Sequence, residues 1–423
     1  MSREKAPQRV GGMPQEEGTS RRVFLHRSAV LGAGLALPGL LSACSRDGGA
    51  AAEGGGKMAT FFTTTADEYF TSHIAGTKQA AKALGFDYQG FANEQKPDVI
   101  VSQYETATGR GVKAMTVVPP NDSPIPVLAK RANADQVNTY FLGESPPWYF
   151  PFEEGKYAVG FTAPYDFRSY YDVAKSLMEE MGGKGSVVML TGFPGGTADT
   201  FRTAAAMQAL EDYPDVELLG QLAGKWSRVD GRSAMEDLMT KNRRFDGVLA
   251  LNDDMAVGAL SALKDAGRRN VKVVGHNGTS QAAELIDRGD LLASAATFPF
   301  WQGAYAVARV YDAAQGYEFA LAERMMLSGH QVITRANVAQ YVDKYVKGID
   351  NLPLDFLKMS RTKSPDDWDP QNSLIPLNPE EYWKEIPKPP EATVPAAYAK
   401  AFQDGQAEKV TSDFERSYRK KIL

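Results

Sequence analysis

Three polar residues directly follow apolar runs, where hydrogen-bonding side chains could hold a small molecule. Asn252 follows the run 248–251, Asn277 follows 271–276, and Thr297 ends a third run. Amide and hydroxyl groups both donate and accept hydrogen bonds. If the runs are strands of parallel sheets, these side chains lie at the carboxyl ends of the strands, where such sheets bind ligands.

The usual catalytic and cofactor motifs are absent from the sequence. There is no G-x-S-x-G nucleophile motif, no H-E-x-x-H and no EF-hand loop, and the Gly-Phe-Pro-Gly-Gly segment 192–196 lacks the Gly-Lys-Ser/Thr of a phosphate-binding loop. One cysteine and four histidines leave little material for a metal centre. We therefore expect no catalytic residues, no cofactor and no metal.

The elements that would position these side chains alternate along the chain. From Lys57 onward, short β-branched runs such as 186–191 and 246–252 alternate with Ala-rich helical segments such as 198–212 and 255–266. Continuous apolar strands between amphipathic helices favour parallel sheets covered on both faces. About 290 residues of this pattern exceed one comfortable core, which predicts two α/β domains.

Composition and charge argue against a nucleic-acid partner. The chain has 423 residues and a formal net charge of −5, which gives no electrostatic support for a nucleic-acid partner. The first 43 residues carry six basic and three acidic side chains, so the remainder carries about −8. We expect a soluble, acidic body.

The first 56 residues are expected to be a leader and a tether rather than part of the fold. Arg21 and Arg22 precede the apolar run 29–41, which is shorter than the roughly 20 residues of a spanning helix. The paired arginines resemble a twin-arginine export signal, and the Leu-Ser-Ala-Cys segment 41–44 resembles a lipobox that ends at Cys44. The alternative is a plain basic segment with a small buried cysteine. We predict a signal peptide over 1–43, an acylated Cys44 and a flexible tether over 44–56.

Longer motifs in the body of the chain resemble ribose-type periplasmic sugar-binding proteins of ABC importers. Segment 251–260 (L-N-D-D-M-A-V-G-A-L) matches that family's N-D-x-M-A-x-G-A-L, and 273–279 (V-V-G-H-N-G-T) matches its V-V-G-x-D-G-T. Segments 63–70 and 333–338 are similar to its first-strand loop and its closing strand-to-helix turn. The likeness runs from about 57 to 346, in the family's order and spacing.

The resemblance implies two doubly wound parallel-sheet lobes joined by three hinge crossings, with a ligand cleft between them. The crossings are expected near 160–161, 297–298 and 325–328. The implied organisation is a first lobe of 57–160 and 298–325, a second lobe of 161–297 and 326–346, and a C-terminal extension of 347–423. In this family the closed form docks on a membrane permease.

The family's site residues can be carried over position by position. The resemblance implies a polar residue and an aromatic pair from one lobe, an arginine and an opposing aromatic from the other, and three polar strand ends. Aromatic rings stack on sugar C–H faces, and hydroxyl groups need fixed amide, guanidinium and carboxylate partners. In that order the residues are Asp67, Tyr69, Phe70, Arg202, Trp226, Asn252, Asn277 and Thr297.

Departures from the family pattern bear on the ligand. The Asp-Arg pair that usually follows the fourth strand is missing from 141–148, where Glu144 could substitute as an acceptor and Trp148 adds an aromatic ring. Asn277 replaces a carboxylate, and Thr297 replaces a longer amide. The sequence therefore favours a polyol, a smaller or modified sugar or another hydroxylated solute over a usual aldopyranose.

Each of these residues also has a purely structural interpretation. The aromatic pair could belong to the core, Trp226 could be a half-buried surface residue, and Asn252 could simply cap the helix that follows. Arg202 could be a solvated helix residue. His276 is expected to point opposite Asn277 and to be structural.

The resulting hypothesis is an exported solute-binding lipoprotein on the outer face of the cell membrane, a monomer that delivers a sugar or polyol to an ABC permease. One alternative is a sensory receptor that signals to a membrane kinase. A less favoured one is an exported glycoside hydrolase, for which Asp67 and Glu144 would have to act as opposed carboxylates. The extension could wrap over one lobe or contact the permease or a neighbour, and 396–421 is predicted to form a final helix.

Overall fold

The strands of the protein form two separate sheets. In the computed structural model the described residues are 55–242, 244–384, 386 and 388–419. The predicted signal peptide, Cys44 and all but the end of the tether lie outside them. The strands are β1 (Gly56–Phe62), β2 (Phe86–Ala92), β3 (Ala114–Val117), β4 (Asn138–Leu142), β5 (Ala158–Pro164), β6 (Gly185–Thr191), β7 (Val216–Ala223), β8 (Gly247–Ala250), β9 (Lys272–Asn277), β10 (Ala293–Ala296), β11 (Met325–Ser328), β12 (Gln331–Ile333) and β13 (Leu374–Pro376).

Helices cover the faces of these sheets. They are α1 (Glu68–Ala83), α2 (Pro97–Gly109), α3 (Ile125–Ala134), α4 (Asp166–Glu180), α5 (Thr197–Asp212), α6 (Arg228–Lys241), α7 (Asp253–Asp265), α8 (Ser280–Arg288), α9 (Pro299–Ala314), α10 (Val338–Tyr341), α11 (Pro379–Lys384), α12 (Ala396–Gln403) and α13 (Gln406–Ser417). Short 3-10 turns occupy Pro151–Glu154, Leu321–Arg324 and Ile349–Asn351, and a π turn occupies Val342–Val346.

Both sheets are parallel except at one edge strand each. The first sheet has the order β2-β1-β3-β4-β5-β11-β13, and only β13 is antiparallel to its neighbour. The second has the order β7-β6-β8-β9-β10-β12, and only β12 is antiparallel. The prediction of two doubly wound parallel-sheet lobes is confirmed.

Several central strands are buried at every residue. This is true of β3, β8 and β10. A strand between two layers of helices has no solvent face, so its sequence is a continuous apolar run rather than an alternating one. That burial explains why the apolar runs in the sequence correspond to strands.

The chain crosses between the sheets later than predicted at two of the three hinges. All of β5 pairs with β4 and β11 in the first sheet, so the first crossing follows Pro164 rather than 160–161. β11 also belongs to the first sheet, so the third crossing lies between Ser328 and Gln331, just after the predicted region near 325–328. Both strands run on past the predicted boundaries because their last residues still have ladder partners. The second crossing is at Thr297 and Phe298, between β10 and α9.

The C-terminal extension is built into the first lobe. Its strand β13 forms the edge of the first sheet, and the carbonyl of its Pro370 accepts a hydrogen bond from the buried Trp301 indole (2.7 Å). Trp383 donates to the carbonyl of Pro147 (3.0 Å). The predicted single helix over 396–421 is two helices, α12 and α13, because Gly405 between them adopts a left-handed conformation (φ 76°).

Candidate functional site: a cleft between the lobes

The carboxyl ends of both sheets and the first turns of several helices face one another across the cleft. Helices α1, α6, α7 and α8 each begin at a side chain that accepts a hydrogen bond from the backbone of the first turn; the capping residues are Asp67, Ser227, Asn252 and Thr279. Such caps satisfy backbone N–H groups that have no partner inside the helix. The side chains that follow each strand are thereby held at the cleft.

Hydrogen bonds between the lobes hold the cleft closed. Glu68 of α1 accepts from the backbone N–H (2.5 Å) and the hydroxyl (2.6 Å) of Ser280 at the start of α8. Glu144, after β4, accepts from the N–H of Thr197 at the start of α5 (2.8 Å), and Asp122 accepts from the Thr197 hydroxyl (2.7 Å). In both places a carboxyl oxygen of the first lobe accepts from the start of a second-lobe helix, where backbone N–H groups have no partner inside the helix.

Tyr69 lies close to charged groups of both lobes. Its hydroxyl donates to Oε1 of Gln302 (3.0 Å), whose Nε2 in turn donates to the carbonyl of Thr297 at the hinge (2.8 Å). Its ring meets that of Phe70 edge to face, with 5.2 Å between the centroids. Burial is the main reason that its pKa is raised. Phe70 also packs against the hydrophobic core, as the structural interpretation of the aromatic pair expected for it.

Asp67 combines a capping role with an unfavourable charge. Its Oδ1 accepts from the N–H of Phe70 (2.9 Å). Burial raises its pKa to about 6, and the nearby second-lobe carboxylate Asp254 adds to the rise. A negative charge on Asp67 is therefore less stable in the closed cleft than in water.

Arg202 and Trp226 form the second-lobe side of the cleft. Arg202 is buried and pairs with Asp166 through its Nε (2.8 Å) and Nη2 (2.7 Å), while its Nη1 donates to the carbonyl of Leu251 (2.9 Å). The guanidinium lies 5.3 Å from the centre of the Trp226 ring. The solvated interpretation of Arg202 is wrong, because Asp166 and the Leu251 carbonyl hold it inside the lobe.

The loop before α6 positions the half-buried Trp226. Its backbone is left-handed (φ 61°), and its carbonyl accepts from Nδ2 of Asn252 (3.0 Å). Oδ1 of Asn252 accepts from the N–H of Met255 (2.9 Å). Asn252 thus caps α7 and fixes the tryptophan loop with the same amide group.

Glu144 and Asp122 form a close pair of carboxyl groups beside Thr197. The pKa of Glu144 is raised to about 8, mainly by burial and in addition by the neighbouring Asp122 and Asp166. The pKa of Asp122 is also raised, chiefly by burial. Two carboxylates this close favour sharing a proton over ionising together.

Asn277 and Thr297 lie toward the hinge. Asn277 has a positive φ (118°), and its Oδ1 lies 3.0 Å from Nδ1 of His276. Nε2 of His276 is 2.8 Å from the Ser169 hydroxyl, and burial holds the pKa of His276 well below its usual value. Asn277 lines an interlobe cavity of about 480 Å³, together with Tyr69, Ser280, Phe300 and Tyr345 among others.

Trp148 is placed differently from the other predicted site residues. Its side chain is 38 % exposed. Among the residues that the structure describes, no ring contact or hydrogen bond joins it to the cleft residues above.

Several cleft residues were missed by sequence reasoning. Asp166, Asp122, Glu68 and Gln302 all contact predicted site residues or bridge the lobes. Asp166 follows strand β5 by two positions, so the strand-end rule that selected Asn252 and Asn277 could have found it. Gln302 gives no such signal, because it is the fourth residue of α9 and does not directly follow a strand.

The described residues contain neither a membrane-spanning helix nor a metal-binding cluster. Over the described ranges, no helix combines the length and the apolar character needed to cross a membrane. Within those same ranges, no group of three or more His, Cys, Asp or Glu side chains could hold a metal ion.

The chain is similar to known families and proteins. A family model described as periplasmic binding protein domain matches residues 58–318. The D-apiose import binding protein of Actinobacillus succinogenes is 28% identical over 241 residues, which cover 56% of this chain and 74% of that protein. The xylitol-binding protein of Mycolicibacterium smegmatis is 28% identical over 228 residues, covering 53% and 62% respectively. Both relatives are named as binding proteins rather than as enzymes.

A solved structure shares the fold. The crystal structure of a twin-arginine translocation pathway signal protein from Burkholderia phytofirmans matches with a TM-score of 0.66 at 24% identity. The match covers 70% of this chain and 94% of that one, so the shared fold includes both lobes and leaves part of the present chain unmatched.

Proposed function

The chain belongs to the periplasmic binding protein domain family, and from that premise we propose that it binds a sugar or polyol in the interlobe cleft and delivers it to the permease of an ABC importer. The observation that carries this proposal is the convergence of Tyr69 from one lobe with Arg202 and Trp226 from the other. Tyr69 is close enough to Asp166 and Arg202 for their charges to affect its pKa. Rings and fixed polar groups from both sides are what a hydroxylated ligand requires.

The proposed ligand contacts extend over the whole cleft. They come from Asp67, Tyr69, Phe70, Glu144, Arg202, Trp226, Asn252, Asn277 and Thr297. Trp148 stays a prediction from sequence alone. The names of the two relatives, one for an apiose importer component and one for a xylitol-binding protein, support a small sugar or a polyol.

The proposal includes export and a lipid anchor. Export through the twin-arginine route is supported by Arg21 and Arg22 and by the name of the Burkholderia phytofirmans protein. Anchoring is supported by the position of Cys44 directly after the apolar run. Replacing Cys44 with Ser should move the protein from the membrane fraction to the soluble exported fraction. An unchanged membrane fraction would contradict the anchor.

Calorimetry against a panel of pentoses, hexoses, inositols and linear polyols tests the central proposal. We expect at least one member to bind with a roughly micromolar or lower Kd, without turnover, to a protein that sediments as a monomer. Failure of every member to bind, together with cleavage of a chromogenic glycoside, would favour the hydrolase alternative instead.

A further inference from the structure

Three acidic side chains in the described part of the cleft have no cation paired with them. Asp67, Asp122 and Glu144 all lie on first-lobe loops that face the second lobe. Within the described part of the chain, none of the three has a Lys or Arg nitrogen within 4.0 Å. Arg202, whose charge acts on Glu144, is already paired with Asp166, and Arg228 is paired with Asp254 (2.9 Å).

Buried hydroxyl groups without partners lie at the same strand ends. The side-chain oxygens of Thr63, Ser145 and Thr297 are buried and have no hydrogen-bond partner among the described residues. The three residues are 5%, 3% and 0% exposed. Thr63 follows β1, Thr297 follows β10, and Ser145 stands next to Glu144 in the loop after β4. Buried hydroxyls without partners are costly unless a ligand or water satisfies them.

From these two observations together we infer that the ligand is a hydroxylated solute that carries an ammonium group, an amino sugar or amino polyol, with the ammonium beside Glu144 and Asp122. This inference rests on the proposed function and names the chemical class of its ligand. An ammonium group beside the pair favours ionisation of both carboxyl groups and forms ion pairs with them. A neutral ligand of the same shape forms no ion pair, so the site favours the amine over its neutral analogue.

Binding of the ammonium group should also release a proton from Glu144. In the empty site Glu144, with a pKa of about 8, holds a proton at neutral pH. Other charged groups also face this region: Asp67 from α1, Asp166 from α4 and Arg202 from α5, and Tyr69 lies among them. An ammonium group favours the ionised form of Glu144, so its binding releases up to one proton to the buffer. A neutral sugar releases none.

Calorimetry with matched ligand pairs tests this inference. The probes are D-glucosamine against D-glucose, D-galactosamine against D-galactose, and an amino-inositol against myo-inositol, each titrated at pH 7 in buffers of different ionisation enthalpy. We expect the amine of at least one pair to bind at least tenfold more tightly than its neutral analogue. We also expect its binding enthalpy to depend on the buffer in the direction of proton release.

Variants test whether the preference for the amine depends on the Glu144–Asp122 pair. Glu144→Gln should reduce the ratio of amine to neutral affinity by about tenfold and abolish the buffer dependence. Asp343→Asn, which changes an exposed carboxylate paired with Lys347, should leave that ratio unchanged. Equal or tighter binding of the neutral member in every pair overturns this inference while the proposed function stands. If neither member of any pair binds, and the wider panel does not bind either, both fail together.

Discussion

At the scale of single residues, one amide group links two parts of the site. Asn252 caps α7 through Oδ1 and holds the Trp226 loop through Nδ2. From the sequence, Asn252 is expected to cap the helix, to contact the ligand or to do both. The structure adds a third, since the side chain fixes the position of an aromatic ring in the cleft.

Replacing Asn252 separates its two hydrogen bonds. Asn252→Ala should lower the free energy of unfolding by about 1–2 kcal/mol, because the α7 cap is lost. Asn252→Asp keeps an acceptor for the Met255 N–H and should lose less stability. Urea denaturation measures both values, and an equal loss in the two variants would contradict the capping role.

Removing the Trp226 ring should weaken ligand binding. We expect Trp226→Ala to cost about 1–3 kcal/mol of binding free energy through lost stacking, as measured by calorimetry with the tightest ligand of the panel. Met207→Ala, at an exposed position on α5, is the matched control and should bind normally. Unchanged affinity in Trp226→Ala would show that the ring does not contact the ligand.

The charge on Asp67 predicts a pH dependence of stability. Burial raises its pKa to about 6, above that of an unfolded aspartate. The folded state therefore binds the proton more tightly, and stability contributed by protonated Asp67 is lost as the pH rises through 6. Asp67→Asn keeps a cap acceptor and removes the charge, so the variant should gain stability over the wild type between pH 4 and pH 7, by about 1–3 kcal/mol. A difference that does not change with pH would refute this.

At the scale of elements, the strand β6 must approach the tryptophan loop closely. A Cβ atom at Gly192, directly after β6, would lie 2.0 Å from Cζ2 of Trp226. The glycine therefore makes room for the ring, and its position is constrained by packing rather than by its φ angle.

Gly192→Ala should displace Trp226 from the cleft wall. We expect ligand affinity to fall about as much as in Trp226→Ala, with a change in tryptophan fluorescence of the ligand-free protein. Gly109→Ala introduces the same methyl group where no atom lies within 4 Å, so it should affect neither property. Normal affinity in Gly192→Ala would mean that the ring tolerates the shift.

The sequence predicted elements well where the signal was local. The motif 251–260 correctly placed the turn from β8 into α7, and the resemblance it carried is confirmed by the family model. The ends of β5 and β11 were not predictable, because only ladder partners far along the chain show where those strands stop. The pairing of Arg202 with Asp166 was missed for the same reason, since 36 residues separate them.

At the scale of the whole molecule, the extension joins both lobes. Tyr382 of α11 stacks on Phe201 of α5, with 4.1 Å between the ring centroids, while the adjacent Trp383 packs near Phe150 of the first lobe. Composition alone could not predict this contact, because Phe201 and Tyr382 lie far apart along the chain.

Loss of the Tyr382 ring should destabilise the assembled lobes. Tyr382→Ala removes a buried ring from its stack, and we expect a loss of about 2–4 kcal/mol in the free energy of unfolding. Ile375→Ala, at an exposed position of β13, should lose far less. Equal losses in thermal or urea unfolding would mean that the stack adds no stability.

A crystal structure grown with the tightest ligand of the panel is the most direct test of the account. We predict ligand density within about 4 Å of both the Tyr69 ring and the Trp226 ring, a distance typical of side-chain contact, with the two lobes shut around it. Density for the ligand at any place that only one lobe can reach would contradict the central claim.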